Sequence, residues 1–261
     1  MTRLPFDRRD LSGPFDIVGD VHGCSDELEA LLAQLGYRVE WRGKDVTVTP
    51  PAGRTLVFVG DLVDRGTRIA DVLRIAMSMV ETGCALCVEG NHENKVGRWL
   101  GGAKVQLNPG LQLTIDQLAA EGEAFKVRVK AFIDGLPIYL WLDGGALVVA
   151  HAGMKEEMLG RSGGKTSSFA LYGDTTGETD EDGYPVRRNW AAEYSGKAAI
   201  VYGHVAAPGT EWLNNTICLD TGCCYGGKLT ALRWPERELV SVPAARVYYQ
   251  AKRPLEERTR S

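Results

Sequence analysis

Residues 15–35 read FDIVGDVHGCSDELEALLAQL, and this stretch decides the fold. Phe15 to Gly19 is a short apolar run of strand length, closed by a turn over Gly19-Asp20-Val21-His22-Gly23. From Ser25 onward Leu28, Leu31, Leu32 and Leu35 recur at helical spacing, with Ser25 as the expected N-cap. The same grammar returns at TLVFVGDLVDRG (55–66), where a strand and a glycine turn precede a helix over 69–80. It returns again where the strand over 85–88 leads through Gly90-Asn91-His92-Glu93 into a helix reaching Leu100. Three strand–turn–helix units predict an α/β fold with a parallel sheet and right-handed crossovers.

Outward from this core, 38–49 reads as a hairpin turning at Gly43-Lys44, and 111–135 as mostly helical up to Pro137. A second hairpin is expected from 138–142 to 146–150 across Asp143-Gly144-Gly145. Residues 155–195 are polar, rich in glycine and without clear period, so a long cap or loop over the site is expected there. Strands follow at 198–202, 216–219, 228–234 and 239–242. One domain over 15–249 is expected, with an extension at 1–14 and a solvated tail at 250–261.

The chain has 261 residues, 44% hydrophobic and 25% charged, enough for one large core. No apolar run is long enough to span a membrane, and residues 1–14 lack the apolar segment of a secretory signal, so the cytoplasm is the expected location. A net charge of −4 argues against a general nucleic-acid coating protein, and any such contact should be directed at an end. Of the six cysteines, Cys84 and Cys87 have the spacing of half a zinc ribbon but sit in the apolar run CALCV, so buried thiols are expected.

Only four histidines occur, His22, His92, His151 and His204, and each follows a predicted strand or lies in a turn beside one. Asp20, Asp61, Asp64, Arg65 and Asn91 accompany them in glycine-flanked turns. Ligands of open α/β sheets bind at the carboxyl ends of strands, where these turns would converge. Asp, Asn and His donors without cysteine suit Mn, Fe, Zn or Ni better than calcium. Six ligand groups exceed what one catalytic ion needs, so two ions sharing a bridging carboxylate are expected.

GDVHG, GDLVDRG, GNHE, HAG and GH, in this order over 19–204, resemble the phosphoprotein-phosphatase branch of the calcineurin-like metallophosphoesterases. Residues 169–191 (FALYGDTTGETDEDGYPVRRNWA) and 214–242 (NNTICLDTGCCYGGKLTALRWPERELVSV) further resemble two bacterial relatives. These are the phosphatase module of polynucleotide kinase-phosphatase and the bacillar-type symmetrical diadenosine tetraphosphatase. The resemblance implies a four-layer αββα sandwich with mixed sheets and a cap region. It implies that Asp20 and His22 hold one cation, that Asp61 bridges, and that Asn91, His151 and His204 hold the other, with manganese the expected metal. Arg65 would grip phosphate, and His92, oriented by Asp64, would protonate the leaving oxygen after in-line attack by a hydroxide held between the ions. One departure is the loop after His204, where Val205-Ala206-Ala207-Pro208 replaces the family's Thr-Pro.

Arg161, Arg187 and Arg188 are further candidates for phosphate, and Tyr172, Tyr184 and Trp190 for stacking a base or for packing the cap. The expected substrate is a phosphate on a nucleotide or nucleic-acid end, cleaved by a polynucleotide 2′,3′-phosphatase-like activity, and a separate kinase or ligase is a candidate partner. A symmetrical diadenosine tetraphosphatase, a protein serine/threonine phosphatase and a non-catalytic metal-dependent binding protein are the alternatives.

Overall fold

Strand β1 (Phe15–Val18) turns Phe15 and Ile17 to one side and Asp16 and Val18 to the other, and the whole architecture follows from that alternation. The computed structural model describes residues 6–181, 183–250 and 255. After β1 come α1 (Ser25–Leu35), the hairpin β2 (Arg38–Arg42) and β3 (Asp45–Thr49), β4 (Thr55–Phe58) and α2 (Ile69–Glu81). β5 (Ala85–Cys87) is followed by α3 (Asn91–Leu100), α4 (Pro109–Glu121) and α5 (Glu123–Gly135). The second half holds β6 (Tyr139–Leu142), β7 (Leu147–Ala150), α6 (Gly164–Tyr172), β8 (Thr175–Thr179), β9 (Pro185–Arg187) and β10 (Ala199–Tyr202). It closes with β11 (Trp212–Leu213), β12 (Thr216–Cys218), β13 (Lys228–Trp234) and β14 (Glu238–Pro243).

Two five-stranded sheets form, in the orders β14-β13-β1-β4-β5 and β11-β12-β10-β7-β6. Each is mixed: β1, β4 and β5 run parallel, as do β12, β10 and β7, with antiparallel strands at the flanks. Between the sheets Phe15, Ile17, Val57 and Val59 of the first meet Leu140, Leu147, Val149, Val201 and Ile217 of the second. The opposite face of the first sheet, Val18, Leu56 and Phe58, packs under Leu28, Leu31 and Leu32 of α1 and Val72, Leu73 and Ala76 of α2. The opposite face of the second sheet, Val148, Ala150, Ile200 and Tyr202, is covered by Phe169 and Ala170 of α6 and by Trp190 and Tyr194. Helix, sheet, sheet, helix is the four-layer sandwich that the motifs implied. Each fully buried Leu or Val contributes about 1.5–3 kcal/mol, so a sheet residue facing the wrong layer would be costly and the register is fixed.

One local expectation is corrected, and two regions gain detail. Ser25 is the first helical residue of α1, not its cap; Cys24 holds the N-cap position, and the Ser25 hydroxyl bonds Glu29 one turn on. Residues 155–195, expected as a long cap or loop, hold α6 and the β8–β9 hairpin. Residues 6–11 lie along β6, with Trp141 N–H donating to Phe6 O at 2.8 Å and Arg8 N–H to Trp141 O at 2.9 Å. The expected tail falls almost entirely outside the described residues. Leu255, the described residue among 251–261, is buried against Gly222 and Gly227.

Candidate metal centre

The parallel strands of both sheets deliver their carboxyl ends to one place. β1 leads to Asp20 and His22, β4 to Asp61, β5 to Asn91 and His92, β7 to His151 and β10 to His204. Asp61 stands in the middle. Its Oδ2 lies 3.4 Å from His22 Nε2 and 3.8 Å from His92 Nε2, while its Oδ1 lies 3.3 Å from His151 Nε2. One carboxylate therefore faces two groups of donors with its two oxygens. In the second group His151 Nε2, Asn91 Oδ1 and His204 Nδ1 are mutually 2.8–3.0 Å apart. Ligands about 2.0–2.2 Å from a shared cation stand roughly 3 Å apart, so the donor set fits a divalent ion. Asp20 accepts the His204 backbone N–H with both oxygens, at 3.0 and 3.2 Å, which ties the two groups together.

Backbone geometry makes this convergence possible. A side chain on Gly203 would begin 1.8 Å from Asp20 Oδ1, so only glycine leaves room for that carboxylate. His22, Asp61, Asp64, Arg65 and His204 all have positive φ, between 45° and 73°, a conformation that costs about 1–3 kcal/mol per non-glycine residue. Strain of this kind concentrates where surrounding contacts hold functional side chains in place.

Hydrogen bonds fix which ring nitrogen faces the centre. His22 Nδ1 and His151 Nδ1 bond the carbonyls of Val63 and Val59, at 2.8 and 3.0 Å, so both turn Nε2 inward. His92 Nδ1 is 2.5 Å from Asp64 Oδ2, and Thr114 donates to the other oxygen of Asp64. His92 thus also turns Nε2 inward. Glu93 supports the floor from below: its carboxylate accepts the N–H groups of Asp61, Leu62, Val63 and Gly90 at 2.7–3.2 Å. Sequence reading left Glu93 and Thr114 without roles. Glu93 had a signal, since an acidic residue at the third position of a helix reaches back to the helix start. Thr114 had none, lying 50 residues from Asp64.

Burial depresses the pKa of His22, His151 and His204, keeping them in the neutral form that binds cations. Burial, with Asp220 and Asp61 next, pushes Asp20 well above the usual carboxylate range. Burial would raise Asp61 as well, but in the acid range, where His151, His92, His22 and His204 can carry charge, their attraction outweighs it and holds its carboxyl below the usual range. Divalent cations in this centre would turn mutual repulsion of the carboxylates into shared attraction.

Residues 13–208 match the calcineurin-like phosphoesterase family. The chain belongs to that family. It is 45% identical over 242 residues to the asymmetrical bis(5′-nucleosyl)-tetraphosphatase PrpE of Anoxybacillus flavithermus, covering 91% of this chain and 97% of that one. Identity to the PrpE of Bacillus velezensis is 46% over 238 residues, covering 90% and 94% of the two chains. A crystal structure described as a candidate diadenosine tetraphosphatase superposes with a TM-score of 0.65 at 27% identity, over 91% of this chain and 96% of the other.

Within this phosphoesterase the arginines divide. Arg65 reaches His22 Nε2 at 2.5 Å and His92 Nε2 at 3.0 Å, with its guanidinium 5.3 Å from the Tyr225 ring centre. Arg187 donates to His204 Nε2 at 2.8 Å and to the Tyr172 carbonyl. These two face the centre. Arg188 does not; it is exposed and pairs with Asp174 at 3.1 Å. Arg161 is exposed too, lining a surface depression with Glu157, Met158 and residues 162–166, none of them a candidate ligand. Of these three arginines Arg187 is the one that contacts a candidate ligand; Arg188 lies next to it on Asp174, and Arg161 lines its own surface depression. Trp190 is buried against Phe169, and a side chain on Gly153 would run into it, so it packs the outer layer and is not free to stack a base.

Proposed function

We propose that this phosphoesterase hydrolyses dinucleoside tetraphosphates asymmetrically, yielding a nucleoside triphosphate and a nucleoside monophosphate, with two manganese ions bound. The observation that carries the reading is the Asp61 carboxylate divided between two donor groups, because a two-ion centre suits attack on a phosphoric anhydride. The substrate comes from the relatives, whose names specify bis(5′-nucleosyl)-tetraphosphates. Those names also specify asymmetrical cleavage, which favours it over the symmetrical alternative. They favour the dinucleotide over a polynucleotide end.

Asp20, His22 and Asp61 would hold one cation, and Asp61, Asn91, His151 and His204 the other. Bound there, the cations supply Lewis-acid polarisation of phosphoryl oxygens and make water acidic near neutral pH. Arg65 and Arg187, on opposite sides of the centre, bind the non-bridging oxygens and spread their charge. His92 protonates the departing phosphate oxygen from Nε2, while Asp64 holds the Nδ1 proton. Glu93 keeps the backbone of 61–63 rigid so that Asp61 stays between the groups.

Product analysis on diadenosine tetraphosphate with manganese tests the reading. Equal amounts of ATP and AMP are expected. ADP alone would overturn the asymmetry, and no turnover alongside cleavage of a 2′,3′-cyclic nucleotide would overturn the substrate class.

A further inference from the structure

Behind the dinuclear centre lies another set of donors that the proposed hydrolysis does not use. Cys24 Sγ, Cys223 Sγ and a carboxylate oxygen of Glu27 all lie within 4.8 Å of one another. All three residues are buried, at 1–3% exposure. They come from three places in the fold: the loop after β1, the first turn of α1, and the turn before β13. Thiolate and carboxylate ligands at about 2.0–2.3 Å from a tetrahedral ion stand roughly 3.5–4 Å apart, which this cluster can satisfy.

Glu27 gives independent reason to expect a cation. Its carboxylate accepts the Ala245 N–H at 2.8 Å and the Tyr248 hydroxyl at 2.9 and 3.0 Å. Both donors are neutral, and among the described residues no lysine or arginine forms an ion pair with it. A cation between Glu27 and the two thiols would give this buried carboxylate a positive partner that no described residue supplies. Among the described residues the other cysteines join no such group of donors. Cys24 Sγ also donates to the His22 carbonyl at 3.6 Å, a contact that ligation would replace.

We propose that Cys24, Glu27 and Cys223 form a third cation site, separate from the dinuclear centre, for a thiophilic divalent ion of the zinc type, with a water completing the tetrahedron. Binding exchanges the two thiol protons, released to solvent, for two thiolate–metal bonds. The site acts as a staple. Cys24 follows the candidate ligand His22 by two residues, and Cys223 opens the turn whose Tyr225 ring lies beside the Arg65 guanidinium. One ion would tie the loop of the dinuclear centre to the wall that supports its phosphate-binding arginine.

Cadmium reports thiolate ligation through an ultraviolet charge-transfer band, and the dinuclear centre contains no sulfur. Chelator-stripped, reduced protein titrated with cadmium should develop the band, and the D61N variant should do so equally. The C24S/C223S variant should lack it, and a C84S/C218S control should keep it. Equilibrium dialysis against zinc with elemental analysis should find one more ion per chain in the wild type than in C24S/C223S. E27Q keeps both thiols and should bind cadmium about 10–100-fold more weakly. If C24S/C223S does not fold, E27Q decides, and unchanged affinity there overturns the site. So does a band that is absent in the wild type or equal in C24S/C223S. None of these readings depends on turnover, so they stand whatever the substrate proves to be.

Discussion

The loops after β1, β4 and β5 and the segment 155–195 both reach the candidate centre, but they are built differently. The first is a buried floor. Asp20, His22, Asp61 and Asp64 are almost fully enclosed, and each side chain is held by the backbone or by a second side chain. The second is an outer layer, anchored by Trp190 and Phe169, that sends a single arginine, Arg187, to the centre and leaves Arg188 and much of β8 facing solvent. A rigid floor places charges where a reaction develops them, and an outer layer with few anchors can vary what is admitted. Chemistry should therefore map to the floor and substrate preference to the cap.

The largest test of that division is D61N, which removes the shared carboxylate. Turnover should fall about 10³-fold or more and cation binding should weaken together with it. Near-normal turnover would show that the floor does not depend on a bridge. His92→Ala should cost about 10²–10⁴-fold on an alkyl phosphate, whose leaving group needs a proton, and far less on nitrophenyl phosphate. Equal losses on both would remove His92 as the acid. On the cap, Arg187→Ala should raise KM for a dinucleoside tetraphosphate about 10–100-fold with a smaller change in kcat, whereas Arg188→Ala should stay within about two-fold. The same response from both would mean that the cap contributes only general charge.

The smallest effect is on stability. Burial, with Asp61 next, pushes Glu93 up to about 8 in the fold, from 4.5 for the free group. Between those values the native protein binds more protons than the unfolded chain, so this group's contribution falls as pH rises through the window. In chelated protein, Glu93→Gln should flatten the decline of Tm from pH 5 to 8.5 by an amount on the order of 2–4 °C. An unchanged slope would show that Glu93 does not titrate there.

The contrast also explains what could be read beforehand. The floor was legible because each loop carries its ligand within a few residues of a strand end, with a glycine where the chain must turn, so local order in the sequence gave spatial order at the site. The cap was not. α6 reads GKTSSFALY, with three small hydroxyl residues and a glycine where an apolar period would begin. β8 reads TTGET, half exposed, with a register shift against β9, so it shows no alternation to detect. Arg187 and Arg188 are adjacent and chemically identical, and only the turn of the chain at the end of β9 sends one inward and the other to Asp174. Thr114 acts through a contact 50 residues away in sequence, which no local pattern encodes.

The central claim is that Asp61 divides one centre between two cations. Anomalous diffraction from crystals grown with manganese tests it most directly. Two peaks about 3.5–4 Å apart, one on each oxygen of Asp61, are predicted. A single peak, or a pair lying away from Asp61, would contradict the account.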